Sequence, residues 1–154
     1  MTADTGNEKA LADIEKYGCH ILHVLEDESG PCFTYSIGIE KTSAHPELIV
    51  TGLKRDIAHW IINEYNHRIM GGETFEPDKL YSGFLDNFEV MFRPVLKRYY
   101  EEYFGWGQWL YGSDEFRVFQ LIFPNTNGKW PWDSEAPDEF IYFIPLLCEP
   151  FAKA

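Results

Sequence analysis

Positively charged residues are scarce in this chain of 154 residues. Lys and Arg number 13 against 25 Asp and Glu, which gives a formal net charge of -12 at pH 7. Such a surface repels the phosphates of nucleic acids and of anionic membranes over most of its area. We therefore expect no nucleic-acid partner and no membrane partner. A protein partner with a cationic surface is favoured instead.

Long apolar runs and paired cysteines are also missing. No stretch of about 18 apolar residues occurs, so no segment is predicted to cross a bilayer. The segment Met1–Lys9 is polar and lacks the apolar region of a signal peptide. Cys19, Cys32 and Cys148 are far apart and form no Cys-x-x-Cys pair, which excludes a zinc knuckle and a disulfide framework. Reduced thiols in a cytoplasmic protein are the prediction.

Motifs for metals and phosphates are absent from the sequence. The histidines form neither His-Glu-x-x-His nor His-x-His. His20 and His23 are predicted to point to opposite faces of a strand, and His59 and His67 are about 12 Å apart along a helix. The glycine pairs lack the Lys-Ser/Thr that follows a phosphate-binding loop. We therefore predict no metal and no cofactor.

Apolar and aromatic residues are abundant. They make up 45% and 17% of the chain, respectively, which is enough for a packed core. The length fits one domain, residues 1–154. Runs of strands with helices between them predict an α+β fold, a mostly antiparallel sheet with two or three helices packed against it.

Hydrophobic periodicity and turn residues predict the individual elements. Helices are predicted at 7–17, 54–70 and 97–111, and strands at 19–25, 33–39, 47–51, 79–86, 88–95, 118–123 and 141–147. The first two strands form a hairpin, and 125–128 form a turn. Gly105 and Gly107 weaken the third helix, and Pro145 restricts the last strand to a sheet edge.

Several short motifs lie within residues 13–133. They are Gly18-x-His20, Tyr35-Ser-Ile-Gly38, His45-Pro-Glu-Leu48, Phe92-Arg-Pro-Val95, Gln120-Leu-Ile-Phe-Pro124 and Gly128-Lys-Trp-Pro-Trp132. Their combination resembles domain-of-unknown-function family 4262, a family of small bacterial proteins. Cys19 and Asn125 depart from the family pattern, which tends to have Trp and Asp there. The resemblance implies a fold unit and a bacterial setting, and it implies no reaction, cofactor or catalytic residue.

Four polar residues in these motifs are candidates for a pocket: Tyr35, His45, Glu47 and Gln120. If their side chains converge, the chain is a small enzyme or a ligand-binding domain. The alternative is that they satisfy backbone groups inside the core. Ser36 lacks the first glycine of a Gly-x-Ser-x-Gly elbow and is predicted to lie within a strand.

The C-terminal part combines acidic and aromatic residues. No Lys or Arg occurs from Pro131 to Ala152, and the acidic segment 133–154 follows two tryptophans. The candidate contact residues are Trp130, Trp132, Asp133, Glu135, Asp138 and Glu139. Toxins that degrade nucleotides, NAD(P) or nucleic acid hold their anionic substrates in basic clefts. An acidic protein-binding module, in its sharpest form an immunity protein that occludes such a cleft, is the predicted function; a solvated acidic face that only maintains solubility is the alternative.

Overall fold

Six strands form one sheet in the computed structural model, which describes residues 3–28 and 30–149. The strands are β1 (His20–Val24), β2 (Phe33–Ile37), β3 (Glu47–Thr51), β4 (Leu80–Leu85), β5 (Phe88–Pro94) and β6 (Val118–Ile122). Their order across the sheet is β1-β2-β3-β6-β5-β4. All neighbours are antiparallel except β3 and β6, which pair in parallel. The prediction of a mostly antiparallel sheet is confirmed.

Six α-helices lie in the described ranges, more than the two or three that were predicted. They are α1 (Ala3–Tyr17), α2 (Ile39–Ser43), α3 (Arg55–Met70), α4 (Tyr100–Tyr103), α5 (Gly105–Tyr111) and α6 (Asp138–Phe143). A 3₁₀ turn covers Lys97–Tyr99. None of the helices in the described part of the chain has the length and apolar character needed to span a bilayer. The α+β class is confirmed, and the surplus consists of short helices.

One face of the sheet is covered by α3. Side chains alternate between the two faces of a strand, so Leu48 and Val50 of β3 point to the α3 side. The apolar stripe of α3, which includes Ile61 and Tyr65, packs on them. The Tyr65 hydroxyl donates a hydrogen bond to the carbonyl of Pro46 at 2.9 Å, which fixes the helix to the start of β3.

The opposite face carries α1, α4 and α5. Tyr35, Ile37 and Ile49 point to this side and pack with Tyr100 and Phe104. The rings of Tyr35 and Phe104 meet edge to face, with centroids 5.2 Å apart. Because both faces are covered, every residue of β3 and β6 is buried. The polar side chains of Glu47 and Gln120 on these strands therefore find their partners inside the protein, whereas the buried hydroxyl of Thr51 has no hydrogen-bond partner among the described residues.

The predicted strand at 141–147 is wrong. This part of the chain is the end of α6 followed by a loop, and Pro145 has no N–H to donate to a sheet. The side chain of Gln120 takes the place of a strand partner: its amide N–H bonds the Pro145 carbonyl at 2.7 Å, and its oxygen accepts from the Leu147 N–H at 2.9 Å.

The predicted third helix is divided. Phe104, at φ -121° and ψ 43°, leaves the helical conformation and separates α4 from α5.

At the start of the chain, α1 begins at Ala3, four residues before the predicted start at residue 7. Of the predicted acidic segment, residues 150–154 lie outside the described residues.

Candidate functional site

The two tryptophans of the predicted contact region stack on each other. The rings of Trp130 and Trp132 are nearly parallel, with centroids 5.2 Å apart and 12° between their planes. Both side chains are half-buried. The carboxylate of Asp133 accepts the Trp130 N–H at 2.7 Å, and the Asp133 N–H bonds the Trp130 carbonyl at 2.9 Å. Asp133 therefore stabilises the turn that holds the tryptophan pair.

The remaining predicted carboxylates differ in their surroundings. Glu135 forms an ion pair with Lys129 at 2.7 Å, so the acidic stretch is neutralised there by a cation that precedes it. Asp138 and Glu139 are exposed in the first turn of α6, and neither forms an ion pair within the described ranges. These two residues contribute the uncompensated negative charge of this region.

Three apolar residues that the sequence analysis did not single out lie beside these carboxylates. Ile141, Tyr142 and Phe143 are 39%, 52% and 44% exposed, respectively. We call the surface formed by Asp138, Glu139, Ile141, Tyr142 and Phe143 the α6 face. The helical spacing of inward-facing Phe140 and Ile144 was the available signal for it, but residues 141–147 were interpreted as a strand.

An apolar groove adjoins the α6 face. Its volume is about 870 Å³, and its walls come from α3, the β4–β5 hairpin, the loop after β6, and α6. Its lining includes Trp60, Phe84, Phe88, Phe123 and Phe140, together with the carboxylates of Asp56 and Asp86. We call it the aromatic groove. Apolar walls with a few carboxylates are suited to a partner that presents apolar and cationic groups together.

Glu47, from the predicted pocket, is the centre of a buried network. It is 1% exposed. Its carboxylate oxygens accept five hydrogen bonds, from the hydroxyls of Ser36 and Tyr111 and the backbone N–H groups of Gly38, Ile39 and Glu40. Burial raises the pKa of Glu47 to about 7, while the hydrogen bonds from Tyr111 and Ser36 oppose that rise. All five donors belong to the protein, so this carboxylate has a structural role.

The other predicted pocket residues are also separate from the open cavities. The Tyr35 hydroxyl accepts the Trp106 N–H at 3.3 Å, and Gln120 holds the loop after α6 through its two hydrogen bonds. His45 is half-buried. Ser36 lies within β2, as predicted, and is fully buried. Neither the groove nor the second cavity, described below, has any of the four pocket residues in its lining.

An ion pair ties α2 to the start of β6. The Arg117 guanidinium donates to both carboxylate oxygens of Glu40, at 2.8 and 2.7 Å, and its backbone N–H donates to one of them at 3.1 Å. Hydrogen bonding from Arg117 holds the pKa of Glu40 below its usual value.

We expect Glu40→Gln to remove a pH-dependent part of the stability. A lowered pKa in the folded state stabilises the fold above the unfolded pKa, and this contribution is lost as pH falls through the folded pKa. The variant should be less stable by about 1 kcal/mol at pH 7, and the difference should shrink toward pH 3. Urea unfolding at pH 7, 5, 4 and 3 measures it; a difference that stays constant would contradict the assignment.

A second cavity, of about 890 Å³, is lined mostly by residues with polar or charged side chains. It lies between α1, β1 and α3, and we call it the histidine cavity because His20, His23 and His59 line it. No local sequence pattern indicates that these residues lie together. As predicted, the strand histidines point to opposite faces: His20 bonds Asp13 of α1 at 2.8 Å, and His23 bonds His59 of α3 at 3.1 Å. Both reach one cavity because β1 is the edge strand.

The fold and its open surfaces define a small acidic α+β domain with a mixed six-stranded sheet. The chain belongs to the family described as Domain of unknown function (DUF4262), whose family model matches residues 13–137. The resemblance inferred from the motifs is thereby confirmed. No curated protein and no solved structure matches the chain. Among residues 3–28 and 30–149, no group of three or more His, Cys, Asp or Glu is arranged to hold a metal ion.

Proposed function

We propose that this protein is an acidic binding module that occludes the basic cleft of a cationic protein partner. Its sharpest form is a cytoplasmic immunity protein for a secreted toxin that degrades nucleotides, NAD(P) or nucleic acid. The observation that carries the proposal is the α6 face, where exposed Tyr142 and Phe143 lie next to Asp138 and Glu139, whose carboxylates form no ion pair with any described residue.

Exposed aromatic residues of this kind are typical of interface centres. Burial of a Tyr or Phe ring against a partner contributes much of the binding energy at a hot spot. Tyr142 and Phe143 already contact each other edge to face, with ring centroids 5.0 Å apart, so part of their ordering cost is met before binding. The adjoining aromatic groove enlarges the apolar area that a partner can cover.

Charge supports a cationic partner. The net charge of -12 steers a basic surface toward the protein over long range. Asp138 and Glu139 then place negative charge at the rim of the apolar contact, where it sets orientation and association rate. A basic cleft built to hold an anionic substrate offers the matching potential. The α6 face would occupy that cleft with carboxylates in place of substrate phosphates.

The proposed contact region keeps Asp138 and Glu139 from the sequence-based set and adds the apolar residues of the α6 face. Trp130 and Trp132 stay in it as a rigid stacked pair. Asp133 and Glu135 contribute less, because the first stabilises a turn and the second pairs with Lys129. The competing idea of a pocket at Tyr35, His45, Glu47 and Gln120 gains no support, since three of these side chains are bonded internally.

The test begins with affinity purification of the tagged protein from its own cells and native mass spectrometry. We expect a stoichiometric complex with a protein that carries a basic cleft. Tyr142→Ala combined with Phe143→Ala should then weaken the measured affinity by about 100-fold, and Asp138→Lys with Glu139→Lys should lower the association rate by about tenfold.

The matched control reverses two carboxylates elsewhere. Glu101 and Glu102 are exposed on α4, and α4 packs on the opposite face of the sheet. Glu101→Lys with Glu102→Lys makes the same change in net charge and should lower the association rate much less than the α6 charge variant does. Equal loss of binding in the control and the α6 charge variant would show that the effect comes from net charge alone and not from the α6 face. A protein that purifies without a partner would contradict the proposal.

A further inference from the structure

The histidine cavity has two polar walls with the same helical spacing. On α3, Arg55, His59 and Asn63 follow each other every four residues and form one stripe. On α1, Lys9 and Asp13 are likewise four apart and bonded at 3.3 Å. The two helices cover opposite faces of the sheet, so the cavity between them lies along the open edge of β1.

A hydrogen-bond chain leads from the interior to this cavity. Thr34 Oγ1, which is buried, lies 3.1 Å from Nδ1 of His23, and Nε2 of His23 lies 3.1 Å from Nδ1 of His59. The two imidazoles are stacked, with centroids 5.3 Å apart. Both ring nitrogens of His23 and one nitrogen of His59 are thereby engaged. The remaining nitrogen of His59, Nε2, is the one available to a ligand.

The direction of the hydrogen-bond chain decides whether Nε2 of His59 is a donor or an acceptor. If Thr34 donates to His23, then His23 donates to His59, and His59 carries its proton on Nε2. If the chain runs in the opposite direction, Nε2 of His59 is an acceptor. Burial, followed by the nearby Arg55 charge, lowers the pKa of His23, which favours the neutral form of this imidazole. An anionic ligand selects the first arrangement, because it needs a donor.

Arg55 supplies the positive charge. Lys9 and His20 both bond Asp13, whereas Arg55 forms no hydrogen bond or ion pair with any residue of the described ranges. Asp56 lines this cavity and also the aromatic groove, so it lies at the boundary of the two. Within the described part of the chain, the Arg55 guanidinium is therefore open to a ligand, and it lies one helical turn from the His59 imidazole. Together they present two N–H groups of the guanidinium and one of the imidazole to a single anionic group.

We propose that the histidine cavity binds a small molecule through a carboxylate or phosphate group, held by the Arg55 guanidinium and by Nε2–H of His59. The volume of about 890 Å³ is in the range of small-molecule sites. His23 and Thr34 act as positioning residues, because they set the tautomer of His59. This site is independent of the α6 face.

The test uses the full chain labelled with ¹⁵N at histidine. Inorganic phosphate and acetate are titrated separately at pH 7 and constant ionic strength, and the imidazole signals are followed by NMR. We expect the His59 and His23 signals to move saturably with at least one of these anions, and a preference between the two distinguishes a phosphate ligand from a carboxylate ligand. Because the pH is constant, the protonation of the other titratable groups around these rings is the same in both titrations. These groups include Lys9, Asp13, His20, Arg55 and Asp56.

Arg55→Ala is the decisive variant, because Arg55 is exposed and its loss should not disturb folding. We expect it to raise the dissociation constant at least about tenfold. Arg98→Ala removes an equal charge at a residue that lies over the Tyr99 ring, outside the cavity, and should leave binding unchanged. Signals that drift without saturation, or equal binding in the two variants, would overturn the proposal.

Discussion

Replacement of Glu47 by Gln is expected to lower the free energy of unfolding by about 3 kcal/mol. Each carboxylate oxygen of Glu47 faces at least one backbone N–H at the start of α2. In either orientation of a glutamine amide, its NH₂ group would therefore oppose a buried N–H donor. The variant therefore loses one hydrogen-bond acceptor and leaves one buried N–H donor unsatisfied. Water cannot replace the lost acceptor, because the side chain is only 1% exposed.

Urea unfolding monitored by circular dichroism at pH 7 measures this effect. Glu139→Gln, the same substitution on an exposed helix position, is the matched control and should change stability by less than about 0.5 kcal/mol. If Glu47→Gln does not fold, Ser36→Ala provides a milder change, since it removes only one donor to the carboxylate and the acceptor of the Leu48 N–H. Stability unchanged in both variants would refute the structural role of Glu47.

Gly38→Ala is the second substitution with a large expected effect, about 2–3 kcal/mol of lost stability. Gly38 has φ +103°, which L-residues rarely adopt, and a Cβ there would lie 2.7 Å from Cγ1 of Ile14. The new methyl group would therefore push α1 away from the sheet. The movement would also disturb the N–H that Gly38 donates to Glu47.

A second glycine separates the two causes of this loss. Gly72 has φ +99°, and a Cβ added there would meet no atom within 4 Å, so Gly72→Ala reports backbone strain alone, about 1 kcal/mol. The difference between the two variants is the cost of the overlap with Ile14. In an Ile14→Ala background, which lacks the side-chain carbons beyond Cβ that cause this overlap, Gly38→Ala should destabilise the protein correspondingly less. Equal losses at Gly38 and Gly72 would show that the contact with Ile14 contributes nothing.

The regular elements of the sheet were readable from the sequence. The short continuous apolar run within Glu47–Thr51 predicted β3, and the stripe of helical period in Arg55–Met70 predicted α3. The same reasoning failed for the C-terminal segment, where a strand was predicted and a helix is found. In a short run rich in Ile, Phe and Tyr, a strand and a helix have similar composition, and the docking of Phe140 against Phe123 decides between them.

The candidate sites depended on pairs distant in the chain. His23 and His59 meet only because α3 packs beside the edge strand, and Glu47 finds its donors only after α2 is placed at the start of β3. Neither arrangement has a local pattern. The acidic half of the α6 face was predicted, since charge is visible in sequence, whereas the exposure of Tyr142 and Phe143 depends on which side of a short helix packs inward.

The position of β6 gives the sheet a definite order of assembly. β6 lies between β3 and β5, yet it is the last strand of the described residues. During synthesis, β1–β3 and β4–β5 emerge as two separate sheets, each with an apolar edge open to other nascent chains. The two sheets join only when β3 pairs in parallel with β6, and the paired residues Glu47 and Val118 are more than 65 residues apart in the chain. This closing step therefore has a large entropic cost of loop closure. We expect the ribosome-bound chain to depend on chaperones until Val118–Ile122 is released.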